Sequence, residues 1–240
     1  MLLLSPDLEV CCGTLASALA AVEGGATRIE LCSALSLDGL TPSMGTLREL
    51  RRRFPELRIH VLIRPREGNF VYTEAEVRTM EHDIQLARDA GATAIVSGAL
   101  TVDGHIDIAA TARLVRASAG LPFTFHRAFD LVAEPFAALS VLNDMGIARV
   151  LTSGGASTAE AGISVLCQLV NVAAAMPKPH ISILPGGGVN RHNVQRIIEE
   201  TGATEIHGSC SVTLPDGLRQ TSAEDVRAIL RILDNIHTRL

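Results

Sequence analysis

The feature that most limits what this chain can fold into is a phrase that it keeps restarting: a helix closed by glycine, a short β-branched run, then a turn rich in small residues. Gly25-Ala26-Thr27-Arg28-Ile29-Glu30, Gly91-Ala92-Thr93-Ala94-Ile95-Val96, Gly146-Ile147-Ala148-Arg149-Val150-Leu151 and Gly202-Ala203-Thr204-Glu205-Ile206-His207 all state it. A glycine just past a helix takes the left-handed conformation that ends it, and the chain then enters a strand. These signals predict strands at 8–12, 28–32, 58–63, 94–97, 123–126, 149–152, 182–184 and 205–207. Helices are predicted over 15–23, 44–54, 74–90, 108–119, 135–145, 158–174, 194–201 and 223–236. Such alternation implies parallel strands joined by right-handed crossovers. Its fit within 240 residues, with no Pro- or Ser-rich linker, favours a closed (β/α)8 TIM barrel over an open doubly wound sheet, as one domain spanning 1–240.

Composition agrees with that reading. A hydrophobic fraction of 47% suits strands that are buried on both faces and read as continuous apolar runs. No stretch approaches the ~18 apolar residues of a membrane span, and Met1 to Asp7 lacks the basic start and apolar stretch of a secretion signal, so a cytoplasmic protein without a membrane partner is expected. The net charge of -5 comes with dispersed Lys and Arg. Only Arg51, Arg52 and Arg53 form a basic run, near a predicted helix end where cations complement the dipole. With aromatics at 3%, stacking platforms are scarce and nucleic acid is not an expected partner. The five cysteines are an odd number without a secretion signal, so free thiols are expected.

Strand parity then sorts the polar residues. Side chains alternate between faces, so Glu9 shares a side with Cys11, and Glu30 with Cys32. A helical shell outside the strands makes an outward carboxylate hard to satisfy, which turns both pairs inward. Two carboxylates buried together raise one pKa or demand a cation. His60, Leu62 and Arg64 share a side of the third strand, and Arg64 and Arg66 are candidates either to neutralise Glu9 and Glu30 or to bind an anionic substrate. The fifth strand ends in His126-Arg127-Ala128-Phe129-Asp130, an imidazole with an acid four residues on, suited to a general base, metal ligand or proton shuttle. Thr152 and Ser153 end the sixth strand. Gly186, Gly187 and Gly188 after the seventh, and His207 in the eighth, resemble the phosphate site that barrels build from their last two loops, although three glycines also make a tight turn. Cys11 and Cys32, at matching heights on adjacent strands ~5 Å apart, are candidates to hold Cu(I) between two thiolates in near-linear geometry. Buried cysteines also serve simply as small hydrophobes. No Cys-x-x-Cys spacing supports a zinc ribbon, Cys167 reads as helix packing, and Cys12 and Cys210 receive no role.

Leu8-Glu9-Val10-Cys11-Cys12, Arg28-Ile29-Glu30-Leu31-Cys32, Gly39-Leu40-Thr41-Pro42-Ser43, Ile63-Arg64-Pro65-Arg66 with Phe70 and Tyr72, Phe125-His126-Arg127-Ala128-Phe129-Asp130 and Leu151-Thr152-Ser153-Gly154 together resemble the copper homeostasis protein CutC family, in order from Leu8 to about Ser209. The resemblance implies a cytoplasmic barrel that is a homo-oligomer, a dimer being favoured, with a copper ion as partner and Cu(I) bound through cysteines, best matched here by Cys11 and Cys32. It assigns no firm reaction. Two expectations therefore stand: a Cu(I)-binding homeostasis protein, or a lyase, isomerase or hydrolase for a small phosphorylated or carboxylated metabolite. In the second, Glu9, Glu30, Arg64, His126 and Asp130 are the catalytic candidates. Arg66, Thr152, Ser153, Gly186 to Gly188 and His207 would hold the anion.

Overall fold

Alternation along each strand decides the architecture. In β1 (Asp7–Cys12), Leu8, Val10 and Cys12 join the large outer core beneath the helices, while Glu9 and Cys11 stay out of it. The same division runs through β2 (Arg28–Leu31) and β3 (Arg58–Leu62), whose Ile29, Leu31, Ile59 and Val61 belong to the outer core. Cys11 and Cys32 pack instead with Leu62, Val96 and Leu35 in a small separate cluster. The strands thus place an apolar layer outside and an unusually polar set inside.

The computed structural model describes residues 6–177, 180–215 and 217–237, so most of the stretch from Met1 to Asp7 read above for a secretion signal lies outside the described residues. Its remaining parallel strands are β4 (Ala94–Ser97), β5 (Phe123–Phe125), β6 (Arg149–Thr152), β7 (Ser182–Pro185) and β8 (Glu205–Gly208). They form one eight-stranded sheet in the order β7-β6-β5-β4-β3-β2-β1-β8, and β8 packs against β7 where the ring nearly closes. The helices alternate with them: α1 (Leu15–Glu23), α2 (Met44–Arg53), α3 (Glu74–Asp89), α4 (Ile108–Ala117), α5 (Pro135–Asp144), α6 (Ile163–Ala175), α7 (Val194–Thr201) and α8 (Ala223–His237). This is a (β/α)8 barrel.

Local chemistry sets the helix bounds. The hydroxyl of Thr73 accepts from the Glu76 amide while Glu76 reaches back to the Thr73 amide, a capping box that starts α3. The same helix buries Val77, Met80, Ile84 and Ala87 at three- and four-residue spacing, each large apolar side chain contributing about 1.5–3 kcal/mol. Gly202 ends α7 at φ +70°, and Gly25, Gly91 and Gly146 of the repeated phrase also have positive φ. No helix of the described residues is long and apolar enough to cross a membrane.

Three local features depart from expectation. The sixth helix begins at Ile163 rather than 158, because the Ala159 amide donates to Gly187 O at 2.8 Å and the Thr158 hydroxyl accepts from the Ala161 amide at 3.1 Å, holding that stretch as a turn. The fifth strand stops at Phe125, where His126 caps a short 3-10 turn over Arg127–Leu131. Between β8 and α8 lies an antiparallel hairpin of β9 (Ser211–Thr213) and β10 (Arg219–Thr221), whose polar, three-residue strands give no period-2 signal.

Candidate functional site

The inward side chains stack in layers from the amino to the carboxyl ends of the strands. At the base, Arg28 of β2 is only 1% exposed and pairs with Asp7 at 3.1 Å, Glu9 at 3.2 Å and Glu205 at 2.5 Å. Arg58 also reaches Asp7 at 2.6 Å, and Arg149 reaches Glu205 at 2.7 Å. Above this, Glu9 faces His207 across the β1–β8 register, and Glu30 faces His60 across β2–β3. One oxygen of the Glu9 carboxylate lies 2.5 Å from His60 Nδ1 and the other 2.9 Å from His207 Nδ1. Burial alone would raise the Glu9 pKa, yet the two imidazoles hold it well below the ordinary carboxylate range.

This corrects the pairing expected for Glu9. Its cation is Arg28, not Arg64 or Arg66. Arg28 precedes Glu30 by two residues on one strand, so its inward direction was readable even though its partner was not. Arg64 instead donates through Nη1 to Leu37 O at 2.7 Å and Gly39 O at 3.0 Å, and through Nη2 to Gly68 O at 3.0 Å. Arg66 is 2.5 Å from Glu76 and donates to the Asn69 and Val71 carbonyls, which leaves it in the β3–α3 loop and out of the central cavity.

The third layer holds the sulfur. Cys11 Sγ lies 3.7 Å from Cys32 Sγ and 3.4 Å from Glu30 Oε1, and all five cysteines are free. Cys11, Glu30 and Cys32 gather one ligand atom each within 4.8 Å, as do Glu9, Glu30 and His207, so Glu30 belongs to both groups. The hydrogen bond with Cys32, burial and the charge of Glu30 raise the Cys11 pKa well above that of a free thiol. Burial chiefly, with Glu9 adding to it, raises Glu30 against the pull of His207. For His207, burial favours the neutral ring, but Glu30, Cys11 and Glu9 outweigh it and push the pKa well up. The Cys11 thiol, its pKa raised, therefore stands beside a His207 imidazolium. Cys12 points to the outer core and donates to Val10 O at 3.4 Å, apart from this group.

Over the thiols opens a cavity of about 790 Å³ whose walls include Cys11, Glu30, Arg64, Phe70, His126, Arg127, Asp130, Gly187, Gly188 and His207. Cys11 reaches its wall while Cys32 lies behind, under Leu35. The imidazole expected to work with Asp130 does not touch it. His126 Nδ1 accepts from the Ala128 amide at 3.3 Å, which puts the proton on Nε2. Burial first, and the Arg64 charge second, lower its pKa to about 3, so the ring is a neutral donor and a poor base at pH 7. The Asp130 carboxylate accepts from Thr152 Oγ1 at 2.5 Å, the Ser153 amide at 2.9 Å, Ser153 Oγ at 3.0 Å, the Gly155 amide at 3.1 Å and Arg127 Nε at 2.8 Å. These bonds hold Thr152 and Ser153, expected as anion donors, in a local brace. His207 does adjoin the glycine turn through Gly186, but its Nδ1 is turned to the Glu9 carboxylate at 2.9 Å, and Gly186, packed beside Leu151 and His207, is not on the cavity wall.

Comparison with known proteins decides the lineage. Residues 7–212 match the CutC family, a stretch that begins in β1 and ends in β9. The chain belongs to the CutC family. A human copper homeostasis protein cutC homolog is 46% identical over 212 residues, covering 88% of this chain and 76% of that protein. A CutC family protein of Salmonella enteritidis is 43% identical over 212 residues, covering 88% and 83%. The crystal structure of CutC from Streptococcus agalactiae superposes with a TM-score of 0.79 at 35% identity, over 85% of this chain and 98% of that one. The chain is thus a CutC family copper homeostasis protein, and Cys11, Glu30, Cys32 and His207 all lie within the matched stretch.

Proposed function

We propose that this CutC family barrel binds Cu(I) through Cys11 and Cys32, with Glu30 as the neighbouring third donor. The observation that carries this is the pair of free thiols 3.7 Å apart with a carboxylate oxygen 3.4 Å from one of them. Two thiolates select a soft ion such as Cu(I). At a thiolate–metal bond of about 2.3 Å, linear coordination needs sulfurs about 4.6 Å apart, whereas the present separation corresponds to a bent S–metal–S angle of about 107°. Bent coordination leaves room for Glu30 to join, so we replace the linear pair expected from the sequence with a three-coordinate site.

Both thiols must lose their protons for this. Metal binding supplies the driving force, so affinity rises with pH and protons are released on loading. The imidazolium of His207, held by Glu9 and Glu30, balances the extra negative charge of two thiolates and one Cu(I). The ion enters past Cys11, the sulfur on the cavity wall.

Anaerobic titration of the reduced protein with Cu(I), against a chromophoric Cu(I) chelator, tests the reading. One equivalent should bind, and Cys11→Ser and Cys32→Ser should each weaken affinity at least about a hundredfold, or roughly 2.7 kcal/mol. Unchanged affinity in both variants would remove the proposal. The cavity supports a second reading, an enzyme for a small anionic metabolite, because about 790 Å³ far exceeds the need of one ion and lies in the range of organic-ligand pockets.

A further inference from the structure

We infer that Arg64 and His126 form a binding site in the barrel mouth for a short oxo- or hydroxy-acid, its carboxylate on the guanidinium and its second oxygen on the imidazole. The inference deepens the second reading and is independent of copper.

Both residues are built into the wall. Arg64 is 4% exposed and His126 5%, and both line the cavity above the thiols. The guanidinium carbon of Arg64 lies 5.0 Å from the Phe70 ring centroid, and the His126 ring lies 4.8 Å from the same centroid, so one aromatic ring positions both.

Each also has donors left over. A guanidinium carries five N–H donors; Arg64 spends two on Nη1 and one on Nη2 against carbonyls. What remains is the Nε–H, buried with no partner, and one Nη2–H, together as many as a carboxylate takes in bidentate pairing. Among the described residues Arg64 makes no ion pair, whereas Arg127 and Arg191 on the same walls are paired with Asp130 and Asp225. A buried cation held only by neutral carbonyls favours an anionic guest.

His126 Nε2 is likewise buried and unpartnered. With Nδ1 occupied by the Ala128 amide, the ring presents a neutral N–H, which suits a carbonyl or hydroxyl oxygen better than a second charge. Arg219 also lines the cavity without an ion pair among the described residues, but it is exposed and donates to Ser211 Oγ at 2.7 Å. Arg64 is therefore the buried open cation, and beside a neutral donor it fits a monocarboxylate group better than a phosphate dianion.

The test is a titration of the intact protein with pyruvate, L-lactate, L-malate and 2-oxoglutarate, beside acetate and inorganic phosphate. Affinity is read by calorimetry, and the His126 imidazole by nitrogen NMR. At least one oxo- or hydroxy-acid should bind more tightly than acetate and move the Nε2 resonance. Arg64→Met should weaken it at least about tenfold, with its fold checked by circular dichroism, and His126→Phe should weaken it while leaving acetate binding unchanged. Cys11→Ser/Cys32→Ser should bind the acid as the wild type does. Binding of phosphate in preference to every acid would overturn this inference but leave the anionic-metabolite reading standing. No binding by any probe would overturn both.

Discussion

Arg28→Ala is expected to destabilise the protein by about 3–5 kcal/mol, the penalty for leaving buried carboxylates without their cation. Arg28 is among the largest fully buried side chains of the described residues, so a void adds to the loss. It is also the shared partner of Asp7, Glu9 and Glu205. Glu205 keeps Arg149, Asp7 keeps Arg58 and Glu9 keeps the imidazoles of His60 and His207, so the burden falls on Glu9 as the loss of its guanidinium partner in a fully buried position. Roughly 10 °C of melting temperature should be lost in a chain of this size. Arg28→Met combined with Glu9→Gln should recover a substantial part, because it removes the stranded charge as well as its partner. A loss under about 1 kcal/mol in the single variant, measured by denaturant unfolding, would show that the basal charge network does not hold the barrel together.

The second large effect is on the acid side of the stability curve. His126 has a folded pKa of about 3 against an ordinary 6.5, so between those values the unfolded chain binds a proton that the folded one refuses. Stability therefore rises with pH through this window and falls as pH drops below 6.5. The slope is about 1.4 kcal/mol per pH unit, reaching on the order of 4 kcal/mol if the fold survives to pH 3. His126→Phe keeps an aromatic ring beside Phe70 and Phe125 but has nothing to protonate. Its unfolding free energy, compared with the wild type between pH 7.5 and 4.5, should lack that slope. Parallel curves would mean that His126 is already charged or solvated in the fold.

Much of this was readable from residue order because parity is local. The eight barrel strands fall within a residue or so of their expected limits, since glycine punctuation and β-branched runs are properties of short segments. Glu9, Cys11, Glu30 and Cys32 turn inward for the same reason. What parity cannot give is height. The partners of Glu9 come from β2, β3 and β8, and which of their inward residues stand level with it depends on the stagger of the closed sheet. The partnership of Arg28 with Glu9 is invisible in the sequence for that reason. Arg66 and Asp130 carry charge near a strand end, which reads as chemistry in the sequence, yet Glu76 and loop carbonyls take the first, and Thr152, Ser153, Gly155 and Arg127 take the second. Loop conformation settled both, and spacing carries no sign of it.

The two proposed sites share one cavity but not one chemistry. Sulfur and Glu30 lie in its floor, while Arg64 and His126 stand in its wall. The floor carries the proposed copper chemistry. Copper K-edge X-ray absorption of the protein loaded anaerobically with one equivalent of Cu(I) tests it directly. Two sulfur scatterers near about 2.3 Å with one oxygen or nitrogen, falling to one sulfur in Cys32→Ser, are the predicted result. A first shell made only of oxygen and nitrogen, or one unchanged by the substitution, would contradict it.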